Sequence, residues 1–284
     1  MRELTVETAG AELAVRISRP DGEPLLLLHG GPGVPDSMQA DIAPLLPTYR
    51  AISFDQRGVG RSRCRDGLYQ IDDYLADIEA IREQLEISTW HVLGHSWGGL
   101  LAQLYAAHHG PRVRSLVLSS SSLGVGADWK ATKRDSFRIE LGRAGAGGTL
   151  RLYLYGSLLF PPNPFRRWAM RHVMTETWHN YFLDPGTAPE PDREWLDGCC
   201  PTALLRTDRS LSRAAEDERA ALRDYTGPVL VLYGADDIFG ESVATVRGRF
   251  PEATQVILGG SGHLHWLQNQ AGYQEALRSF YAAM

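Results

Sequence analysis

The sequence predicts an α/β fold, a mostly parallel sheet covered by helices on both faces, with a helical cap inserted into it. Three observations carry this expectation. Short continuous apolar runs, at residues 25–28, 113–118 and 229–233, read as strands buried on both faces. Amphipathic helical stretches alternate with them, the order that builds parallel sheets. From about residue 124 to 222 the alternation stops, and helical stretches rich in aromatic residues take over.

The elements follow in chain order. Residues 4–8 and 13–18 alternate apolar and polar side chains, as a half-buried antiparallel pair does. Buried strands are expected at 25–28 and 51–54. Across 71–85, Ile71, Tyr74, Leu75, Ile78, Ile81 and Leu85 make a helical stripe broken only by Arg82. Asp72, Asp73 and Asp77 lie toward its N-terminal end, where the helix dipole favours acids. A strand at 90–93 and a helix at 98–108 come next, the helix stopped by Gly110-Pro111. In the middle region, helices at 129–141 and 165–181 are separated by Gly145-Ala146-Gly147-Gly148, Pro161-Pro162-Asn163-Pro164 and the segment 185–191. Strands at 229–233 and 254–258 and helices near 241–250 and at 265–283 complete the chain. The expected division is a core of 1–123 and 223–284 with a cap of 124–222. Ligand clefts of open α/β sheets lie beyond the carboxyl ends of the strands, where such a cap would form the roof.

Bulk properties narrow the function. With 284 residues, 43% hydrophobic and 22% charged, the chain can build one large core with an inserted piece. A net charge of −5 argues against nucleic-acid binding. No stretch approaches the ~20 apolar residues that span a bilayer, so no membrane partner is expected. The opening Met-Arg-Glu-Leu-Thr-Val-Glu carries acids and alternates like a strand, unlike a signal peptide, which makes a cytoplasmic location the expectation. Cys64 stands alone and Cys199-Cys200 are adjacent, a spacing that fits neither a metal site nor an ordinary disulfide between them. No metal or cofactor is expected.

Ser96 is the most informative residue. It sits in Gly94-His95-Ser96-Trp97-Gly98-Gly99, between a buried strand and a helix. A serine at the apex of so sharp a turn takes a strained backbone conformation, and the flanking glycines make room for it. The turn lifts the hydroxyl out of the sheet and sets the next N–H at a helix start.

A serine nucleophile needs a base and an acid that orients the base. The strand at 254–258 is followed by Gly259-Gly260-Ser261-Gly262-His263, a glycine-rich loop that places His263 to reach back to Ser96. His265 is the nearest rival, expected in or beside the last helix and turned to Trp266 or to solvent. His108 and His109 end a helix, where imidazoles complement the dipole. The loop after strand 229–233 offers Asp236 and Asp237, and the order Ser, Asp, His suits this kind of elbow. Asp237 is the choice, because the usual pattern reads Gly-x-x-Asp before apolar residues; Asp236 would then cap the turn. His29-Gly30-Gly31-Pro32-Gly33 follows another buried strand, and an acyl-transfer oxyanion needs two backbone N–H donors. Trp97 and Gly31 are the candidates.

His-Gly-Gly-Pro-Gly at 29–33, Asp-Gln-Arg-Gly-Val-Gly-Arg-Ser at 55–62, Gly-His-Ser-Trp-Gly-Gly at 94–99, Gly-Ala-Asp-Asp at 234–237 and Gly-Ser-Gly-His at 260–263 together resemble the α/β-hydrolase superfamily. The first two resemble its proline iminopeptidase group, serine peptidases of the S33 type. The resemblance spans the core from 25 to 270 and implies the triad Ser96, Asp237 and His263. It also implies that the 55–62 loop shapes the surroundings of the elbow, with Arg57 paired to a local acid. In such peptidases, acids of the cap are expected to hold a free N-terminal amine. The cap here carries Glu140, Glu176, Asp184, Glu190, Glu194 and Asp197, none of them in a tryptophan-then-glutamate order; Trp195 follows Glu194. Glu176, Glu194, Trp178 and His95 are the expected substrate-binding residues.

The function expected from these residues is a cofactor-free serine hydrolase acting on a small molecule or short peptide. A proline iminopeptidase-like aminopeptidase is the leading form. An esterase, lactonase or amidase for a small metabolite is the alternative, since one triad opens all these bonds and only the cap decides. A non-catalytic ligand-binding protein is the reading outside enzymology. Serine at position 96 argues against epoxide hydrolases and dehalogenases, which resemble the same core but are expected to use aspartate at the elbow.

Overall fold

A computed structural model describes residues 1–160, 163–240 and 243–284. Pro161-Pro162 of the expected helix break and Glu241 of the expected helix start lie outside the described residues. The strands are β1 (Arg2–Glu7), β2 (Ala11–Ile17), β3 (Glu23–Leu28), β4 (Tyr49–Phe54), β5 (Arg63–Cys64), β6 (Trp90–His95), β7 (Val113–Ser119), β8 (Val229–Gly234) and β9 (Thr254–Leu258). They form one sheet in the order β1-β2-β4-β3-β6-β7-β8-β9, with β5 added beside β2. β1, β2 and β4 pair antiparallel, and every pairing from β4 to β9 is parallel.

The helices of the core are α1 (Met38–Asp41), α2 (Ile71–Gln84), α3 (Trp97–His108), α9 (Val243–Arg249), α10 (His265–Gln268) and α11 (Gln270–Ala282). Between β7 and β8 lie α4 (Ala127–Ser157), α5 (Arg166–Asn180), α6 (Arg193–Gly198), α7 (Pro201–Arg213) and α8 (Glu216–Ala221). Among the described residues, this inserted stretch contains no strand.

The apolar runs explain the layering. Alternate residues of one strand face opposite sides of a sheet, so Leu26 and Leu28 enter the core under α2 and α3, while Leu25 and Leu27 enter the core under α1 and α11. Both sides must be apolar, which is why β3 and β6 lack polar alternation. A third, smaller core joins Leu159, Met170, Met174 and Leu196 of the insert to Val34, on the loop after β3.

Three departures from expectation have local causes. The short β5 was not foreseen, since Arg63-Cys64 carries no apolar pattern and forms only by pairing with Ala11 and Glu12. The expected break at 145–148 is a kink: α4 runs through it, with Gly145 at φ 62° absorbing the irregularity. The last helix is split at Asn269, whose Oδ1 accepts the Gly272 N–H at 3.1 Å and starts α11 afresh.

Candidate active site

The elbow between β6 and α3 has the geometry its residues demand. Ser96 adopts φ 56° and ψ −120°, a left-handed conformation costly for any residue but glycine. The flanking glycines are compulsory for a steric reason. A Cβ on Gly94 would lie 2.1 Å from the carbonyl oxygen of Gly98, and one on Gly98 would lie 2.0 Å from that of Leu28. The backbone N–H of Ser96 donates to Ser119 at 3.1 Å and its carbonyl accepts from Ser122 at 3.0 Å, so β7 clamps the turn from one side. Trp97 opens α3, and its N–H belongs to the first turn, for which the helix offers no carbonyl.

His263 and Asp237 come together at the carboxyl ends of β9 and β8. Nδ1 of His263 lies 3.0 Å from Oδ1 of Asp237, and both side chains are buried. Burial alone would push the Asp237 carboxyl up. The charge and hydrogen bond of His263, with further bonds from Ser120 and the Phe239 N–H, outweigh it and hold the group below its usual range. Because the carboxylate can only accept, His263 carries its proton on Nδ1. Its other nitrogen, Nε2, is buried without a hydrogen-bond partner among the described residues, and His263 lines the same cavity as Ser96. Tyr181, Phe239 and His95 surround the ring, with centroids at 4.7, 4.9 and 4.6 Å.

The loop after β3 lies against the elbow. A Cβ built on Gly30 would sit 3.3 Å from Ser96 Cβ, and Gly31, at φ 121°, lines the cavity. Gln56 fastens the two together. Its backbone N–H donates to His29 Nε2 at 3.0 Å, its Nε2 donates to the His29 carbonyl at 2.9 Å, and its Oε1 accepts from the Trp97 indole at 2.7 Å. Arg57, next in the chain, makes two 2.8 Å bonds to the buried carboxylate of Asp77 on α2, which anchors the loop to the core.

Part of the chain matches a known family. Residues 23–142 match the family described as alpha/beta hydrolase fold. The chain is 29% identical over 275 residues to the proline iminopeptidase of Lactobacillus delbrueckii subsp. lactis, an alignment covering 90% of this chain and 89% of that protein. Among solved structures, the proline iminopeptidase of Mycobacterium smegmatis superposes with a TM-score of 0.69 at 20% identity over 100% of both chains. A thermophilic esterase from Thermogutta terrifontis does so with 0.69 at 19% identity, over 100% of this chain and 99% of that one. The chain has the α/β-hydrolase fold.

Within this α/β-hydrolase fold, the cavity above Ser96 is bounded on the core side by Gly31, Met38, His95 and Trp266, and on the insert side by Met174, Trp178, Tyr181 and Trp195. It is narrow and mainly apolar, and among the described residues no carboxylate lines it. Of the expected substrate-binding residues, His95 and Trp178 are in its wall, whereas Glu176 and Glu194 are not. Glu176 is drawn to Arg151 on the outer side of the insert, and Glu194 opens on a separate crevice with Arg16, Asp55 and Arg61. Helical phase decides this: Trp178 turns inward on α5, and Glu176, two residues earlier, must turn away.

His95 contributes as a support. Its Nε2 donates to the backbone carbonyl of His263 at 3.1 Å, and burial, with the neighbouring histidines, depresses its basicity well below that of a free imidazole. His265 is fully buried: it faces Trp266 edge-on, with ring centroids 5.6 Å apart, and is bonded to Ser119 and Ser120 rather than turned to solvent. Asp236 is exposed, next to the buried Asp237.

Sequence reasoning missed Gln56, Tyr181 and Trp266. For Gln56 the signal was present in the motif at 55–62; for the two aromatic residues nothing in the local pattern separates a pocket wall from ordinary core. Among the described residues, no group of three or more His, Cys, Asp or Glu could hold a metal ion, and no helix is long and apolar enough to cross a membrane.

Proposed function

We propose that this protein is a serine hydrolase in which Ser96 attacks the carbonyl of a small amide or ester. His263 Nε2 takes the serine proton, and Asp237 keeps the Nδ1 proton in place and stabilises the imidazolium that forms. The N–H groups of Trp97 and Gly31 receive the oxyanion. The imidazolium then protonates the leaving group, and the same ring activates the water that releases the acyl group. The observation that carries this reading is the free, buried Nε2 of His263 in the cavity of a strained serine, while Nδ1 is held by an ionised aspartate.

The leading substrate class is a short peptide or aminoacyl amide with a compact N-terminal residue, in keeping with relatives named proline iminopeptidase. A narrow cavity walled by Trp178, Trp195 and Trp266 suits one small apolar residue. An esterase or lactonase is favoured by one specific observation: among the described residues no carboxylate lines the wall, which leaves a charged amine without a counter-ion from them there.

Chromogenic prolyl and alanyl amides, their N-acetylated forms and short-chain esters separate the two. Cleavage confined to free-amine compounds supports the aminopeptidase, and cleavage of esters alone supports the alternative. Ser96→Ala should abolish turnover and His263→Gln should remove labelling by a fluorophosphonate; retention of both at wild-type levels eliminates the mechanism.

A further inference from the structure

The chain carries a run of four buried serines, Ser119 to Ser122, directly after the apolar part of β7. Buried hydroxyls need partners, and the first two find theirs in one continuous chain. Ser120 Oγ donates to Oδ2 of Asp237, the carboxylate oxygen that His263 does not use. The same Oγ lies 3.2 Å from Nδ1 of His265. Nε2 of His265 lies 2.9 Å from Ser119 Oγ, which in turn lies 3.4 Å from the Tyr273 hydroxyl on α11.

The direction of every hydrogen in this chain follows from its two ends. An ionised Asp237 accepts only, so the Ser120 hydrogen points to it and the Ser120 oxygen is left to accept. His265 therefore donates from Nδ1. Burial pushes its basicity down to about 4, so the ring is neutral and Nε2 is an acceptor. Ser119 then donates to Nε2 and accepts from Tyr273. Each dipole is aligned toward the carboxylate, the arrangement in which hydrogen bonds reinforce one another. The backbone pays for the first link: Ser120 sits at φ 46°, a strained conformation for a residue with a side chain.

We propose that Ser120 and His265 are positioning residues of the active site, fixing the plane of the Asp237 carboxylate so that Oδ1 faces His263 while Oδ2 is held from behind. This rests on the reading of Asp237 as the acid of the site. A carboxylate with one donor can turn about its Cβ–Cγ bond, and a base oriented by it inherits that freedom. With Ser120 and the Phe239 N–H on its two oxygens, 3.0 Å from Oδ1 in the latter case, that rotation is closed.

The test uses the full chain with Ser120→Ala, Ser120→Thr and His265→Leu. Two readouts are needed: the rate of labelling by a fluorophosphonate, and the downfield proton resonance of the Asp237–His263 bond, which requires no turnover. Ser120→Ala should slow labelling by about tenfold, the size expected for loss of one bond to a charged group. It should also shift the resonance, and Ser120→Thr, which keeps the hydroxyl, should restore both. Wild-type labelling and an unshifted resonance in Ser120→Ala overturn the proposal, whether or not His265→Leu folds. If the wild-type protein is not labelled at all, the serine-hydrolase reading fails, and the resonance still decides whether Ser120 positions Asp237.

Discussion

Nε2 of His95 lies 3.1 Å from the carbonyl oxygen of His263, so the residue before the serine elbow holds the backbone of the loop that carries the proposed base. The bond joins β6 to the segment after β9, which no strand pairing connects directly. His95→Phe keeps the ring contacts with Trp266 but deletes the donor. Labelling of Ser96 should slow about tenfold while the protein stays folded, in line with the loss of one hydrogen bond. An unchanged labelling rate shows that the loop is held without it.

Steric necessity at the elbow makes a sharper forecast. In Gly94→Ala the new Cβ would meet backbone at 2.1 Å, and backbone cannot rotate away as a side chain can. The variant should lose about 3 kcal/mol or more in urea unfolding. Stability within 1 kcal/mol of wild type would show that the turn relaxes more easily than its contacts imply.

Arg57 and Asp77 are joined by two bonds of 2.8 Å with both side chains buried. Removing Asp77 deletes both short bonds and, among the described residues, leaves the buried Arg57 only longer carboxylate contacts, with Asp73 and Asp66 at 3.7 and 3.9 Å. Asp77→Ala should therefore cost about 3–5 kcal/mol, and the double change Arg57→Met with Asp77→Leu should cost markedly less. Equal losses in the single and double variants, by chemical denaturation, contradict this account.

Glu140 on α4 is buried, with a weak 3.5 Å bond from Thr177, and burial pushes its carboxyl up to about 7. The folded state thus prefers the proton more than the unfolded chain does. Its stabilising contribution is complete below about 4.5 and is lost as the pH rises through 7. Glu140→Gln should match wild type near pH 4.5 and exceed it at pH 8 by about 1–3 kcal/mol, measured as the difference between denaturation curves at the two values. A variant no more stable than wild type at pH 8 refutes the shift.

The parallel strands were legible because a strand buried on both faces must be apolar throughout, as in Leu25-Leu26-Leu27-Leu28, and because a run of that length resists a helical reading once glycine follows it. The elbow was legible because Ser96 needs glycine at both sides, a demand written within five residues. Glu176 and Glu194 were misplaced for the opposite reason. Each is an acid on a polar segment of the insert, and whether it meets the cavity or an arginine such as Arg151 depends on helix phase and on where the insert lands.

Local chemistry in the sequence by itself determined the strand order of burial, the turn at Ser96 and the loops that bear Gly31, Asp237 and His263, because each is a steric or hydrogen-bonding requirement met by neighbours in the chain. Only the tertiary structure decided that Gln56 ties the His29 loop to Trp97, that Ser120 and His265 stand behind Asp237, and that tryptophans rather than carboxylates wall the cavity. Those partners are separated by tens of residues or more. Their meeting is set by how the sheet twists and how the insert packs on it, which no local pattern records.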